Sequence, residues 1–271
     1  MSDAMISRDG STIKIHRKVH LGSLLIYLGL FIITAWSLHS TVIVNTDWER
    51  MGSLADLGRS VGMFFPVDWY LFTLLPIPIL ETLMIATLGT GIAVILSMPV
   101  AWFAARNTSP FFPVTYPIGR GIMTLTRSVH EVVWGLIFVT AVGLGAFPGI
   151  LAVAMRSIGF ISKLTAEAIE DIDHGPVEAI QAAGGNRIQV VVFAIFPQIL
   201  PIFIGNVIFQ WDINIRRASI LGLVGAGGLG LVLHNQQVLY NYQGITTVIL
   251  AILVLVFFGE VVSYYARKKV I

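Results

Sequence analysis

The sequence contains no cysteine and few charged residues. The absence of cysteine excludes disulfides, a thiol nucleophile and any cysteine-based metal site. Only 12% of the residues are charged, while 56% are hydrophobic, whereas soluble domains carry roughly a quarter charged residues. The bilayer is therefore the expected solvent of this chain. The net charge of +2 gives no support to a partnership with nucleic acid.

Several catalytic and nucleotide-binding motifs are also missing. No G-x-x-x-x-G-K-[ST] occurs, so ATP phosphates are not bound by a P-loop in this chain, and neither H-E-x-x-H nor G-x-S-x-G is present. We predict no catalytic residue, metal site or cofactor of its own. Gly225–Gly230 matches G-x-G-x-x-G, but an apolar span rather than a strand precedes it, which favours a tight or re-entrant outer turn. Residues 1–20 lack the pattern of a cleaved signal peptide.

Long apolar segments dominate the rest of the chain. A helix needs about 20 apolar residues to cross the hydrocarbon core. We therefore predict an all-α polytopic membrane protein with about six transmembrane helices. The predicted spans are Leu21–Val44, Pro78–Ala105, Ile118–Gly143, Phe147–Ala168, Phe193–Gly222 and Gly244–Ala266. Charged residues interrupt the third, fourth and fifth of them.

Basic residues at both ends set the predicted orientation. Lys and Arg are enriched on the cytoplasmic side of membrane proteins, and they flank the first and the last span. Both termini are therefore expected in the cytoplasm. This divides the chain into a tail at 1–20, a first span at 21–44, a periplasmic segment at 45–75, a helical core at 76–266 with a cytoplasmic loop at 169–197, and a tail at 267–271. An amphipathic helix is predicted in the periplasmic segment, from Met51, Leu54, Leu57, Val61 and Phe65.

Ionisable residues inside spans are costly and usually face a cavity or a partner. On a continuous helix Arg127 would lie one turn from Glu131, and Asp212 one turn from Arg216, so each pair is expected to form an ion pair. Arg217 then remains unpaired. Such pairs either brace the bundle or leave surplus positive charge along an anion path. The path candidates are Arg127, Glu131, Trp134, Trp211, Asp212, Asn214, Arg216 and Arg217. Each tryptophan is also expected as an anchor or packing residue.

The polar segment between the fourth and fifth spans predicts a helix, a hinge and a second helix. Pro176 suits the first turn of a helix, Gly184 and Gly185 break it, and Asn186 with Arg187 begins the next. The unit is either a surface for a groove in a partner protein or an ordinary connector. The proposed contact residues are Glu178, Ala179, Ala182, Gly184, Gly185, Asn186 and Arg187.

The same segment resembles the EAA loop of ABC-importer permeases. Glu178, Ala179, Gly184, Ile195 and Pro197 stand at the matching spacings, while Ile180 and Phe196 depart from the pattern. Residues 127–145 and 211–230, with the approach at 162–178, resemble the phosphonate members of that group. The likeness covers about residues 80–265.

The resemblance implies the type-I importer fold, with 76–266 as the permease core and residues 178–187 as the helix that couples to an ATPase. It implies a homodimer in the bacterial inner membrane, two cytoplasmic ATPase subunits that bind ATP and Mg²⁺, and an external binding protein. The implied substrates are phosphonates, phosphite, hypophosphite or phosphate. Three alternatives stay open: a permease of the same fold for another solute such as methionine, a membrane enzyme, and a scaffold.

Overall fold

The computed structural model describes residues 5–6, 12–13, 21–46 and 52–270. Within these ranges the chain is almost entirely helical, which confirms the predicted all-α class. The exception is a two-residue antiparallel pairing of β1 (Met5–Ile6) with β2 (Thr12–Ile13). The chain forms two compact units, Met1–Arg59 and Ser60–Ile271.

The first unit holds the first predicted span. Helix α1 (Leu21–Leu38) continues through a π-helical segment, His39–Val44. Together Gly22–Val44 provide 23 residues of mean hydropathy 1.6, enough to cross a bilayer. Helix α2 (Leu54–Gly62) follows and confirms the helix predicted within residues 45–75. Met51, part of that prediction, lies outside the described residues.

The second unit is a bundle of helices with short connections. A π-helical turn, Val191–Ile195, leads into the helix that begins at Phe196. A 3₁₀ turn, Gly222–Val224, follows that helix. The helices are α3 (Trp69–Leu74), α4 (Pro76–Ala104), α5 (Phe112–Ser128), α6 (Glu131–Val142), α7 (Ala146–Glu170), α8 (His174–Ala182), α9 (Arg187–Val190), α10 (Phe196–Leu221), α11 (Gly228–Val238) and α12 (Tyr242–Val270).

The third predicted span is wrong as a single helix. Residues 118–143 are divided between α5 and α6, which meet at an angle of 90°. The backbone of Val129 and His130 is extended, and the His130 imidazole Nδ1 accepts the Val132 N–H at 3.3 Å, which caps α6. Five other segments are long and apolar enough to span, so the total is six if α5 and α6 form one broken span.

Small residues allow the central helices to pack closely, as is common in membrane bundles. Helix α4 lies against α7 at Gly89, where a Cβ would stand 2.7 Å from the Val153 side chain. The buried core around this contact joins α4, α7, α10, α11 and α12. Its largest buried members are Leu75, Ile85, Val153, Ile215, Leu221, Leu229 and Val248.

The glycine-rich segment after α10 is the tight turn that the sequence predicts. Gly225 adopts a left-handed φ of +87° and accepts the Gly145 N–H at 3.0 Å. The Leu229 N–H donates to the Thr82 hydroxyl at 2.8 Å, which holds the start of α11 against α4. Helix α11 itself was not predicted.

Candidate functional site: a charged cluster at a broken helix and a polar loop

Three helices meet at the break between α5 and α6. Glu131 is the first residue of α6, and its side chain is 12% exposed. One carboxylate oxygen lies 3.4 Å from Nε of Arg217 on α10, and the other lies 3.7 Å from Nε of Arg156 on α7. A single carboxylate therefore faces two guanidinium groups from two different helices.

Arg156 was not among the candidate residues, although it lies inside a predicted span. Its Nη1 donates to the backbone carbonyl oxygens of Arg127 and Val129, the latter at 3.4 Å. The last carbonyls of any helix lack intrahelical partners, and the break leaves those of α5 free to accept. An arginine near the middle of a 25-residue apolar helix was itself a usable signal, because such residues are rarely placed there without a function.

The predicted ion pair between Arg127 and Glu131 is wrong. The two residues belong to different helices, so the spacing of one helical turn does not bring them together. Arg127 instead packs against α7 at Gly159, where any side chain would overlap its Cγ. Across the described part of the chain, no hydrogen bond or ion pair of the Arg127 guanidinium is found. The stem of the Arg127 side chain thus lies at the contact between α5 and α7.

The expected pairing of Asp212 with Arg216 is confirmed. The prediction that Arg217 stays unpaired is wrong, because Glu131 approaches it from α6. The two arginines also face different neighbours. Asp212 lies beside Gly259 of α12, whereas Arg217 points towards the break between α5 and α6.

Asn214 connects the cluster to a buried polar network. Its amide nitrogen donates to the hydroxyls of Thr90 on α4 and Ser157 on α7, both at 2.8 Å. Its carbonyl oxygen accepts from Gln210 at 3.1 Å and from Arg217 Nη1 at 3.5 Å. Gln210, Asn214 and Ser157 are fully buried. The network ties α4, α7 and α10 together directly behind Arg217.

The two tryptophan candidates lie in different places. The Trp211 indole donates to the Thr87 hydroxyl at 3.0 Å and lines a mostly apolar cavity of about 420 Å³ between α4, α10 and α12. Trp134 stacks on Phe138 at 5.9 Å and packs against the core. Its indole nitrogen is buried and has no hydrogen-bond partner among the residues described. The path candidates thus form two groups, one at the helix break and one facing α12.

The polar loop has the helix, hinge and helix that the sequence predicts. Asp173 caps α8 by accepting the Gly175 N–H at 2.9 Å, and Pro176 lies in the first turn. Gly184 ends the helix with φ +82°. Asn186 and Gln189 exchange hydrogen bonds of 2.8 and 2.9 Å in a capping box that begins α9.

The loop is tied to the helices on either side of it. The Gln198 amide of α10 pairs with the backbone of Asp173 at 2.9 and 3.2 Å, which connects the start of α8 to α10. Beneath α8 and α9, the 105–110 connection borders a cavity of about 630 Å³. Glu178, Ala179, Ala182, Gly184 and Arg187 are exposed. The hydrogen bonds of Gln198 thus join the start of α8 to the start of α10, the helix that carries Arg217.

A second charged group holds the ends of α4, α5 and α7 together beside the loop. Arg120 and Glu170 form an ion pair at 2.8 Å, and Glu170 also accepts the Arg106 N–H at 2.9 Å. The Arg106 guanidinium donates a hydrogen bond to the Tyr116 hydroxyl, which raises the pKa of Arg106 above its usual value. No group of histidine and acidic side chains suited to a metal ion is found in the described ranges.

Comparison with known proteins identifies the architecture. Residues 50–271 match the family model described as the binding-protein-dependent transport system inner membrane component. The chain is 37% identical to the phosphite transport system permease protein PtxC of Stutzerimonas stutzeri, over 92% of this chain and 88% of that protein. It is 37% identical to the phosphate-import permease protein PhnE of Mycolicibacterium smegmatis, over 70% of this chain and 36% of that protein.

A solved structure of the MetNI methionine ABC transporter in an inward-facing conformation has a similar fold. The TM-score is 0.65 at 22% identity, and the match covers 76% of this chain and 100% of the solved chain. This likeness shows the fold alone. It confirms the predicted type-I importer architecture.

Proposed function

The chain belongs to the family of binding-protein-dependent transport system inner membrane components, and from this membership we propose that it forms the membrane path of an importer for a phosphorus oxyanion. Its relatives are transport permeases, which leaves the enzyme and scaffold alternatives without support. Two relatives are named for phosphite and phosphate. The multi-pass inner-membrane location follows from the family and from the spans.

The charged cluster at the helix break is the observation that supports an oxyanion. Arg156 and Arg217 converge on one carboxylate, Glu131, and the Arg127 backbone carbonyl accepts from Arg156 beside them. The surplus positive charge lies on helices inside the apolar core, where it is costly unless it serves a ligand or a partner. Guanidinium groups match the paired oxygens of phosphate-like anions.

Methionine as the substrate has weaker support. The fold likeness to the methionine transporter is at 22% identity, and a small zwitterion has less need of an excess of arginine. The membership of the family implies an ATPase and a binding protein as partners. We propose that two ATPase subunits and a second copy of this chain complete the importer, as the resemblance to ABC-importer permeases implies.

Coupling to the ATPase is assigned in this proposal to α8 and the hinge at Gly184. ATP binding favours one of two conformations and hydrolysis returns the other, so the path opens alternately to each side through a shift of populations. The exposed α8 is suited to a groove. Its backbone link through Gln198 offers a mechanical route from that groove to α10.

The test is uptake of labelled phosphate, phosphite and methylphosphonate by cells that produce this chain with its ATPase and binding protein and have no other such importer. Competing methionine at excess should leave uptake unchanged. Arg217→Ala should lower oxyanion uptake at least about tenfold, the effect of roughly 1.4 kcal/mol in the bound state, while the complex still assembles.

Lys163→Ala is the matched control, because it removes a cation of α7 that forms an exposed pair with Glu167 at 3.2 Å. Its uptake should stay near the wild-type level. Uptake by the wild type of methionine but of no phosphorus oxyanion would refute the proposed substrate class. Equal uptake by wild type and Arg217→Ala would remove Arg217 from the path.

A further inference from the structure

We propose that Glu131 is an internal stand-in for the transported anion: its carboxylate occupies the place between Arg156 and Arg217 where a phosphorus oxyanion binds during transport. This inference rests on the proposed function and names the ligand site within it. It assigns Glu131 a competing role, so that substrate has to displace a side chain of the protein in order to bind.

Each arginine also has a contact that does not involve Glu131. Nη1 of Arg156 is bound by the carbonyl oxygens that the end of α5 leaves free. Nη1 of Arg217 approaches the carbonyl oxygen of Asn214 at 3.5 Å, and Asn214 is itself fixed by Thr90 and Ser157. The guanidinium of Arg156 is therefore anchored on one side, that of Arg217 lies against the buried network, and both turn Nε towards the carboxylate. Removal of the carboxylate would leave a preformed pair of donors.

The contacts of Glu131 are loose for an ion pair. The distances of 3.4 and 3.7 Å exceed the ~2.7–2.9 Å of a charge-assisted hydrogen bond. The carboxylate thus balances charge without saturating the donors. A phosphorus oxyanion also presents two oxygens on one central atom, carries up to two negative charges and has further oxygens for other donors. It is better matched to two guanidinium groups than a single carboxylate is.

The position of Glu131 favours its release. It is the first residue of α6, directly after the extended backbone of Val129 and His130. A carboxylate in the first turn of a helix is stabilised by the unpaired N–H groups there, so Glu131 remains stabilised after it leaves the arginines. The 90° junction between α5 and α6 gives this segment a place to bend when α10 moves.

Such an exchange meets a requirement of any transport path. A site with two arginines in an apolar bundle would otherwise hold a dianion too firmly to release it. Return of Glu131 to the arginines expels the anion and refills the site, which keeps the buried charges compensated in both states. The free energy of substrate binding is then the difference between two terms, the pairing of the arginines with substrate and their pairing with Glu131. A change of conformation alters that difference.

The experiment uses the complex of this chain with its ATPase in lipid nanodiscs, without the binding protein. Thermal stabilisation is measured against the concentration of inorganic phosphate and of phosphite, with chloride at the same ionic strength as the reference. Glu131→Gln keeps the shape of the side chain and removes its charge. It should lower the half-saturating anion concentration about tenfold, as expected for roughly 1.4 kcal/mol of removed competition.

The matched control is Glu170→Gln, which removes the carboxylate of a separate part-buried ion pair, with Arg120 at 2.8 Å. This variant should respond to phosphate as the wild type does. Any binding of phosphate to the ATPase is the same in every variant and therefore cancels in the comparison. Adding Arg217→Ala to Glu131→Gln should abolish the gain. If Glu131→Gln fails to assemble, Glu131→Asp retains the charge on a shorter side chain and should give a smaller gain.

An unchanged or weaker response of Glu131→Gln, or of Glu131→Asp in its place, would overturn the exchange. An equal gain in Glu170→Gln would overturn it as well, since any freed arginine would then suffice. These results are separate from the proposed function. Oxyanion uptake by the wild type supports that function whatever Glu131 does, and absence of such uptake refutes it.

Discussion

The buried network around Asn214 permits a quantitative prediction about stability. Asn214→Leu keeps a side chain of similar shape and removes three hydrogen bonds of 2.8–3.1 Å, to Thr90, Ser157 and Gln210. Side-chain hydrogen bonds in membrane bundles contribute about 0.6 kcal/mol each, with a maximum of about 1.7. Three of them predict a loss of about 2 kcal/mol in the free energy of unfolding.

The loss should stay near that value because most partners of Asn214 keep another hydrogen bond. The Thr90 hydroxyl still donates to the Ala86 carbonyl at 2.7 Å, and the Gln210 amide still donates to Ser157 at 3.0 Å. A fully orphaned buried donor would cost more, about 1–3 kcal/mol. The Asn214 variant should therefore fold and remain measurable.

A double-mutant cycle isolates a single bond of the network. Thr90→Val removes the hydroxyl that accepts from Asn214 and preserves the shape of the side chain. Unfolding in mixed micelles with rising detergent denaturant, followed by helical circular dichroism, should give a coupling of about 0.6 kcal/mol between the two substitutions. Ser97→Ala is the control, because among the described residues the Ser97 hydroxyl bonds only locally, to the Val94 carbonyl at 3.0 Å. Its effect should add to that of Asn214→Leu. Additivity of the Asn214 and Thr90 substitutions would refute the network as described.

Two further predictions concern glycines with defined backbone roles. Gly184→Pro should abolish uptake while ATPase activity persists, because proline cannot adopt the φ of +82° found there. Gly184→Ala should give a partial defect. Normal coupling of ATPase activity to uptake in the proline variant would contradict the role of the hinge. Gly222→Ala should lower the unfolding free energy by about 1–3 kcal/mol through overpacking, since a Cβ would overlap the backbone of Leu231 and Gly227. In the detergent unfolding assay used for Asn214→Leu, Gly121→Ala should be neutral or stabilising, because in the described part of the chain the added Cβ has no atom within 4 Å beyond its chain neighbours and its own helix backbone. Equal effects of the two substitutions would contradict the close approach at Gly222.

Hydrophobic length and local backbone chemistry made much of the fold predictable. Apolar runs of sufficient length identified α1, α4, α7, α10 and α12, because the bilayer requires them regardless of their neighbours. The secondary structure of the loop at 169–197 was equally predictable from the sequence. The cap at Asp173, the glycine at 184 and the Asn186 cap are local rules that act within four residues.

The candidate site was only partly predictable. Glu131 and Arg217 were identified as charges within spans, but their assignment to partners relied on spacing along a single helix. That rule holds only while the helix continues, and Val129 and His130 interrupt it. Arg156 was passed over because its partners, Glu131 and the backbone carbonyls at the end of α5, lie on other segments, which no pattern along the sequence reveals.

The sequence by itself determined that this chain belongs in a bilayer, which five segments are long and apolar enough to cross it, and that a capped polar loop separates two of them. Each of these follows from hydrophobicity and from interactions between near neighbours. Tertiary structure alone decided that Glu131 bridges Arg156 and Arg217 and that Asp212 with Arg216 lies on another face of α10. The reason is that a charge buried in an apolar bundle takes the partner that helix packing brings to it. Packing depends on contacts such as Gly159 against α5, between residues far apart in the chain.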